Sequence, residues 1–234
     1  NAASGDDFDY YAAYPKSAVK AVSVGASGYN EFYFTLPEAQ TPTATSVDPA
    51  GAIIVAAVEN QASRPASLDF SFSHAAAYGK MTLKNVQTLI NGEALLNIKI
   101  SSSGKKISGR MNYCFAPNAT NGHRPAGTMT SVPNTKDYVI INADNIVPSD
   151  NFDVWFTCWP FELTSGETLL VSVITDKNTY TTYAKTATIP ESKTLSFEKG
   201  KISHFTVNMS TANEVTVKVN GTTLSQINAT DYSG

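Results

Sequence analysis

Apolar and polar residues alternate with a period of two through most of this chain. That period places successive side chains on opposite faces of an extended strand. It predicts strands at residues 8–14, 19–24, 31–36, 53–58, 68–73, 80–86, 94–101, 107–115, 138–142, 153–160, 169–176, 179–188, 203–208 and 214–219. Turn formers such as Asn91-Gly92, Ser103-Gly104, Ser165-Gly166 and Lys199-Gly200 separate these runs, and β-branched and aromatic residues fill them. No stretch holds a 3.6-residue period between helix caps, so helices should be few and short. The pattern is that of an all-β sandwich or barrel with antiparallel strands.

Individual runs say more. In 68–73, Leu68, Phe70 and Phe72 alternate with Asp69, Ser71 and Ser73, the pattern of a strand with one face on a core and one in water. Leu169, Val171 and Val173 read inward by the same logic. Both faces are bulky in Asp153-Val-Trp-Phe-Thr-Cys-Trp-Pro160, which predicts a central, doubly covered strand. Trp155 and Trp159 then read as core or interface residues; the alternative is an exposed platform for stacking a sugar ring. The last run, Glu214-Val-Thr-Val-Lys-Val-Asn-Gly221, is a strand arriving after the sandwich already looks complete. Val215, Val217 and Val219 would share a face, with Leu224 and Ile227 beyond them. Such a strand either completes its own sheet or adds to that of a neighbouring molecule, where its backbone groups are satisfied in trans.

Composition narrows the partners. With 234 residues and 42% hydrophobic content, the chain can bury one large or two small cores. Only 16% of residues are charged and the net charge is −3, so no basic surface is offered to nucleic acid. The apolar runs are far shorter than the roughly 20 residues of a membrane helix, so no transmembrane segment is expected. Linker-like residues at Gln61-Ala-Ser-Arg-Pro65, where an acidic first block gives way to a near-neutral remainder, suggest a boundary. The expected division is an N-terminal β domain over 1–66, lacking some strands, a C-terminal sandwich over 67–210, and a tail over 211–234. Residues 37–52 and 116–136, rich in Pro, Thr, Ala, Gly and Asn, read as long surface loops.

Catalytic chemistry is hard to find. His74, His123 and His204 are isolated from one another and from cysteine, without the close ligand pairs of a zinc site. The chain holds no nucleophile elbow, phosphate loop or dinucleotide fingerprint. Its one acid cluster, Asp6, Asp7 and Asp9, does not continue as a calcium loop. No enzyme activity, cofactor or metal is expected. Cys114 and Cys158 can form one disulfide or remain two buried thiols.

Longer segments carry a resemblance. Phe70-Ser-Phe-Ser-His74-Ala-Ala-Ala-Tyr78-Gly-Lys80-Met-Thr-Leu83, Leu163-Thr-Ser-Gly-Glu-Thr-Leu-Leu170 and Ile189-Pro-Glu-Ser-Lys-Thr-Leu195-Ser-Phe-Glu-Lys-Gly200-Lys-Ile-Ser-His-Phe205-Thr-Val-Asn-Met209 resemble the fimbrillin family of anaerobic Gram-negative bacteria from gut and mouth. Tyr10-Tyr-Ala-Ala-Tyr-Pro15 and Phe34-Thr-Leu-Pro37 resemble its first domain. The resemblance implies two transthyretin-like sandwich domains, an exported outer-membrane lipoprotein precursor and a place in a cell-surface fimbrium. It also implies assembly with other pilin subunits by strand exchange, with Val215, Val217, Val219, Leu224 and Ile227 as donor residues. The alternative is a surface adhesin module that binds a host or bacterial protein or glycan through its loops or tryptophans.

Overall fold

The computed structural model describes residues 8–24, 30–115, 128–175, 182–215, 218–219 and 222–223. The first part of the chain forms β1 (Phe8–Tyr14), β2 (Val19–Val24), β3 (Asn30–Leu36), β4 (Ala39–Gln40), β5 (Ile54–Gln61) and β6 (Ser73–His74). Then follow β7 (Ala77–Lys84), a short helix α1 (Val86–Ile90), β8 (Leu95–Ser102), β9 (Ser108–Cys114), β10 (Thr128–Lys136), β11 (Tyr138–Ile146) and β12 (Asn151–Cys158). The remainder holds β13 (Phe161–Leu163), β14 (Thr168–Thr175), β15 (Thr182–Thr188), β16 (Leu195–Phe197), β17 (Ile202–Asn208), β18 (Asn213–Val215), β19 (Lys218–Val219) and β20 (Thr222–Thr223). The all-β class read from the alternation is what the chain adopts.

Two cores organise these strands. In the first sandwich, the sheet β1-β5-β6 faces the sheet β10-β9-β3-β2, and Phe32, Phe34, Leu36, Val55, Met111 and Tyr113 fill the space between. Aromatic edges do much of the packing. The rings of Tyr11 and Phe115 lie 4.8 Å apart, and Phe32 meets Phe115 edge-on at 5.0 Å, arrangements that add to the value of simple area burial. In the second sandwich, the six-stranded sheet β18-β15-β14-β8-β11-β4 covers the three-stranded sheet β12-β7-β17. Ile98, Ile141, Val171, Met81, Phe156 and Leu83 are among its core residues. Most pairings are antiparallel, but β4 runs parallel to β11 and β17 parallel to β7.

The expected division near residues 61–65 does not describe the strand sharing. β3 pairs with β9 along its full length, Glu31 opposite Cys114 through Leu36 opposite Gly109, and β9 pairs with β10. The first sandwich therefore takes two of its four-strand sheet from residues 108–136. The chain crosses between sandwiches repeatedly, and a linker-like composition at one crossing reveals nothing of the return crossings. Residues 116–136 were expected to be loop; of these, β10 occupies Thr128–Lys136, with an irregular register between Ser131 and Thr135.

Two local expectations fail for reasons of partnership. Residues 68–72 are not in a strand, although their alternation is clean; only Ser73 and His74 reach an edge, opposite Val55 and Ile54. A strand needs a neighbour, and here the Phe70 and Phe72 rings pack 6.1 Å from one another while Phe72 stays 47% exposed. β12, expected at the centre of a sheet, is an edge strand of β12-β7-β17. Its inner face supplies Val154, Phe156 and Cys158 to the second core, and its outer face is partly covered by residues 40–51.

Candidate functional site

Residues 40–51 run from β4 over the outer face of the smaller sheet of the second sandwich. β4 docks on β11 through Ala39 and Gln40, opposite Ile140 and Ile141. The Gln40 carboxamide, with 0% exposure, then behaves as one peptide unit of a missing strand. Its Nε2 donates to the Thr157 carbonyl at 2.8 Å, and its Oε1 accepts from the Thr157 N–H at 2.8 Å. The loop that follows is held at both ends by Asp48, whose carboxylate accepts from the N–H groups of Thr41 at 2.8 Å and Ala50 at 2.9 Å. Ala44, at the crest, accepts the indole N–H of Trp155 at 3.2 Å.

The sheet beneath this loop presents an ordered outer face. Register places Trp155, Lys80 and His204 in one row across β12, β7 and β17, with Asp153, Thr82 and Thr206 in the next. Lys80 Nζ lies 2.7 Å from Asp153 Oδ2 and 5.4 Å from the Trp155 ring centre. Thr82 donates its hydroxyl to Asp153 at 2.6 Å. These two donors, Lys80 first, hold the Asp153 carboxyl below its usual range. The Trp155 ring meets His204 at 76° with centroids 6.5 Å apart. The indole is thus fixed by its N–H, by a cation and by an aromatic edge.

Trp155 borders two open spaces. A cleft of about 490 Å³ lies between the end of β11 and the start of β12, with Ile98, Ile141 and Val154 among its lining and Asn142, Asp144 and Asn151 also along it. A second, of about 420 Å³, runs on the other side of the loop past Tyr78, His74 and Ile202. There the Tyr78 hydroxyl and His74 Nδ1 are 2.6 Å apart. Burial pushes the Tyr78 hydroxyl pKa upward.

The sequence-predicted residues separate on the structure. Trp159 is fully buried in the first core, and its indole N–H donates to the Gly109 carbonyl at 3.0 Å; it is no ligand platform. Trp155 is half-buried and faces outward, so the two tryptophans do not act together. Cys114 and Cys158 are both buried, and no disulfide joins them. Cys158 belongs to the second core, and the surrounding apolar volume pushes its thiol pKa well up. Cys114 sits on β9 in the first sandwich, opposite Glu31 of β3.

The terminal run is also redistributed. Its beginning pairs at home: β18 extends the six-stranded sheet with Val215 opposite Thr182, Glu214 opposite Tyr183 and Asn213 opposite Ala184. All three residues are exposed, Val215 by 38%. β18 is described no further than Val215, and the backbone of Val219 lies in a two-residue ladder between β19 and β20. Val217, Leu224 and Ile227 fall outside the described residues. Among the described residues, β15 pairs with β18 only over its first three positions, and no strand is paired to its outer side at 185–188.

Among the described residues, no group of three or more His, Cys, Asp or Glu side chains is placed to hold a metal ion. His74 and His204 serve the aromatic surface just described, and His123 lies outside the described residues. No helix among the described residues is long and apolar enough to cross a membrane.

The molecule is thus an all-β protein of two interleaved sandwiches, with an aromatic-bearing cleft on one and a short terminal edge strand on its larger sheet. No protein-family model and no curated protein matches the chain. Among solved structures, it is similar to one described as a "putative cell adhesion protein" from Bacteroides uniformis, with 15% identity and a TM-score of 0.45, over 88% of this chain and 70% of that one. Similarity at that level carries no functional argument.

Proposed function

We propose that this chain is a structural subunit of a cell-surface fimbrium, assembling with other subunits by strand exchange and contributing to adhesion. One observation carries the reading. Among the described residues, β18 covers β15 at 182–184 with its own side chains in solvent, and no strand is paired to the outer side of β15 at 185–188. The N–H and C=O groups along that stretch form an edge to which a strand from another copy can add. A donor strand carrying Val215, Val217 and Val219 would satisfy that open edge in trans and offer alternate side chains to the acceptor's core. Each valine buried there contributes about 1.5–3 kcal/mol. The fimbrillin resemblance of residues 70–83, 163–170 and 189–209 supports the same reading, and with it a precursor exported as an outer-membrane lipoprotein.

Polymerisation of the intact chain and of a chain ending at residue 211 tests the proposal. Size-exclusion chromatography and negative-stain microscopy should show linear oligomers for the first and monomers for the second. Equal oligomers from both chains would refute it. An adhesin module is the second reading, and the cleft beside Trp155 is the observation that favours it.

A further inference from the structure

We infer that the cleft between β11 and β12 is a binding site for uncharged saccharide, with Trp155 as the ring-stacking wall. The site lies at the opposite edge of the second sandwich from β18 and does not depend on assembly.

Its shape and lining select the ligand class. The cleft volume of about 490 Å³ falls within the roughly 300–1,000 Å³ typical of small-molecule sites. Ile146, Pro42 and Phe152 give it apolar surface beside Trp155, while Thr43, Asn142 and Asn151 set hydroxyl and amide groups along it. A pyranose has this same division, with C–H groups on a face and hydroxyls around its edge. Asn142 commits its Nδ2 to Thr41 Oγ1 at 3.1 Å, which leaves its Oδ1 to accept from a ligand hydroxyl. No cation lines the cleft and Asp144 does, while Asp153 is paired to Lys80, so an anionic sugar meets the Asp144 carboxylate with no cation in the lining to offset it.

Trp155 is held as a platform should be. Its N–H is bonded to Ala44 at 3.2 Å and its ring is braced by Lys80 and His204, so stacking orders no further side chain. A tryptophan serving only as packing would not border open space on two sides of one loop, as Trp155 does.

An extended peptide is the other ligand to weigh, since both lips of the cleft are strand edges. Both edges are spoiled for it. On β12, Gln40 occupies the N–H and C=O of Thr157 and the Ser149 hydroxyl the carbonyl of Asn151, which leaves only a short run between them. On β11, β4 occupies Ile140 and Ile141, after which the register breaks between Asn142 and Ile146, with Asp144 and Asn145 at φ 55° and 58°. A kinked edge with left-handed residues does not template a straight ladder. Recognition here must come from side chains.

The test screens the full chain on a printed array of neutral, sialylated and sulfated glycans, then titrates the best neutral oligosaccharide by calorimetry and tryptophan fluorescence. Trp159 is buried, so a ligand-induced emission change reports Trp155. Saturable binding of a neutral glycan is expected, weakened about tenfold or more by Trp155→Ala and several-fold by Asn142→Ala, with Trp155→Phe closer to the parent because a ring remains. Asn142 is exposed, so its variant decides the matter even where Trp155→Ala folds poorly. Silence toward all neutral glycans, binding of anionic glycans only, or binding unchanged by both alanine variants would overturn the inference.

Discussion

Replacing Gln40 with leucine should destabilise the protein far more than its place in a two-residue strand suggests. The carboxamide makes three hydrogen bonds: to the Thr157 carbonyl, from the Thr157 N–H, and to the Pro37 carbonyl at 3.1 Å. Gln40 and Thr157 are both 0% exposed, so water cannot take over. Leucine matches the volume but leaves two buried backbone groups unpaired, at about 1–3 kcal/mol each, for a total of about 2–6 kcal/mol. For a chain of this size that is a fall in Tm of about 4–24 °C. Gln40→Glu sharpens the test. A carboxylate can accept from the Thr157 N–H but meets the Thr157 carbonyl with no proton to donate, and it is a buried charge besides. A protonated carboxyl restores the donor–acceptor pair. Its folded-state pKa should therefore lie above the unfolded value of about 4.3, so stability is present below that value and is lost as pH rises through the folded pKa. Urea unfolding at pH 4.5 and pH 7.5 reads this out: Gln40→Glu should recover at the lower pH and Gln40→Leu should not. A Gln40→Leu loss below about 0.5 kcal/mol, the range of an ordinary surface change, would refute the view that this side chain substitutes for a strand.

Gly109 sits at φ +75°, and a Cβ there would lie 2.3 Å from the Asn134 carbonyl oxygen; Gly109→Ala should cost about 2 kcal/mol or more in denaturant unfolding, since strain and overlap add. Both thiols are buried and unjoined, so a thiol-reactive dye should label neither in the native protein and both in denaturant, whereas a disulfide would give none in either. Asp153, Asp150 and Glu167 have lowered pKa values, caused first by hydrogen bonds from Lys80, the Thr88 N–H and Lys105 respectively. Their contribution is present above the unfolded carboxylate value of about 4 and is lost as pH falls below it; Asp153→Asn should flatten that acid limb of a Tm-against-pH curve. Tyr11 is raised to about 12, by burial first and by Glu59 as well, so its contribution is present below pH 10 and lost between 10 and 12. Absorbance at 295 nm should show a late phenolate step that Tyr11→Phe removes.

The strands that could be read from sequence are those whose alternation coincides with a partner of similar length. β1 and β2 match their expected bounds, and β8, β9 and β14 lie within one residue of theirs; each has a strand partner along its length and a face on a core. Leu68, Phe70 and Phe72 carry an equally clean pattern and form no strand there, since alternation records a preference for two faces and not the presence of a neighbour. β10 was missed for the converse reason: it holds Pro133 and an irregular register and so has little period to detect, yet β9 offers it an edge. Trp155 could be singled out by residue type alone. The cleft beside it could not, because its walls come from residues 41–44, 141–146 and 151–155, which only the crossing of β4 onto β11 brings together.

The bulky run at the end of β12 shows what one strand can encode when two cores adjoin. Side chains that alternate across a strand normally separate core from water. Here Phe156 and Cys158 enter the second core, while Trp159, one residue on, enters the first. Its backbone N–H donates to Ile107 and its indole N–H to Gly109. Thr157, between Phe156 and Cys158, is held by Gln40 from the segment that also travels from the first sandwich to the second. Both faces are therefore covered, as in a central strand, although β12 lies at an edge: the covering on one side comes from the neighbouring sandwich and its crossing segment. That crossing also sets the loop over Trp155. The side chain that closes β12 to an incoming strand, Gln40, begins the loop whose Ala44 fixes the indole, so the feature that blocks edge pairing is continuous with the one that builds the cleft.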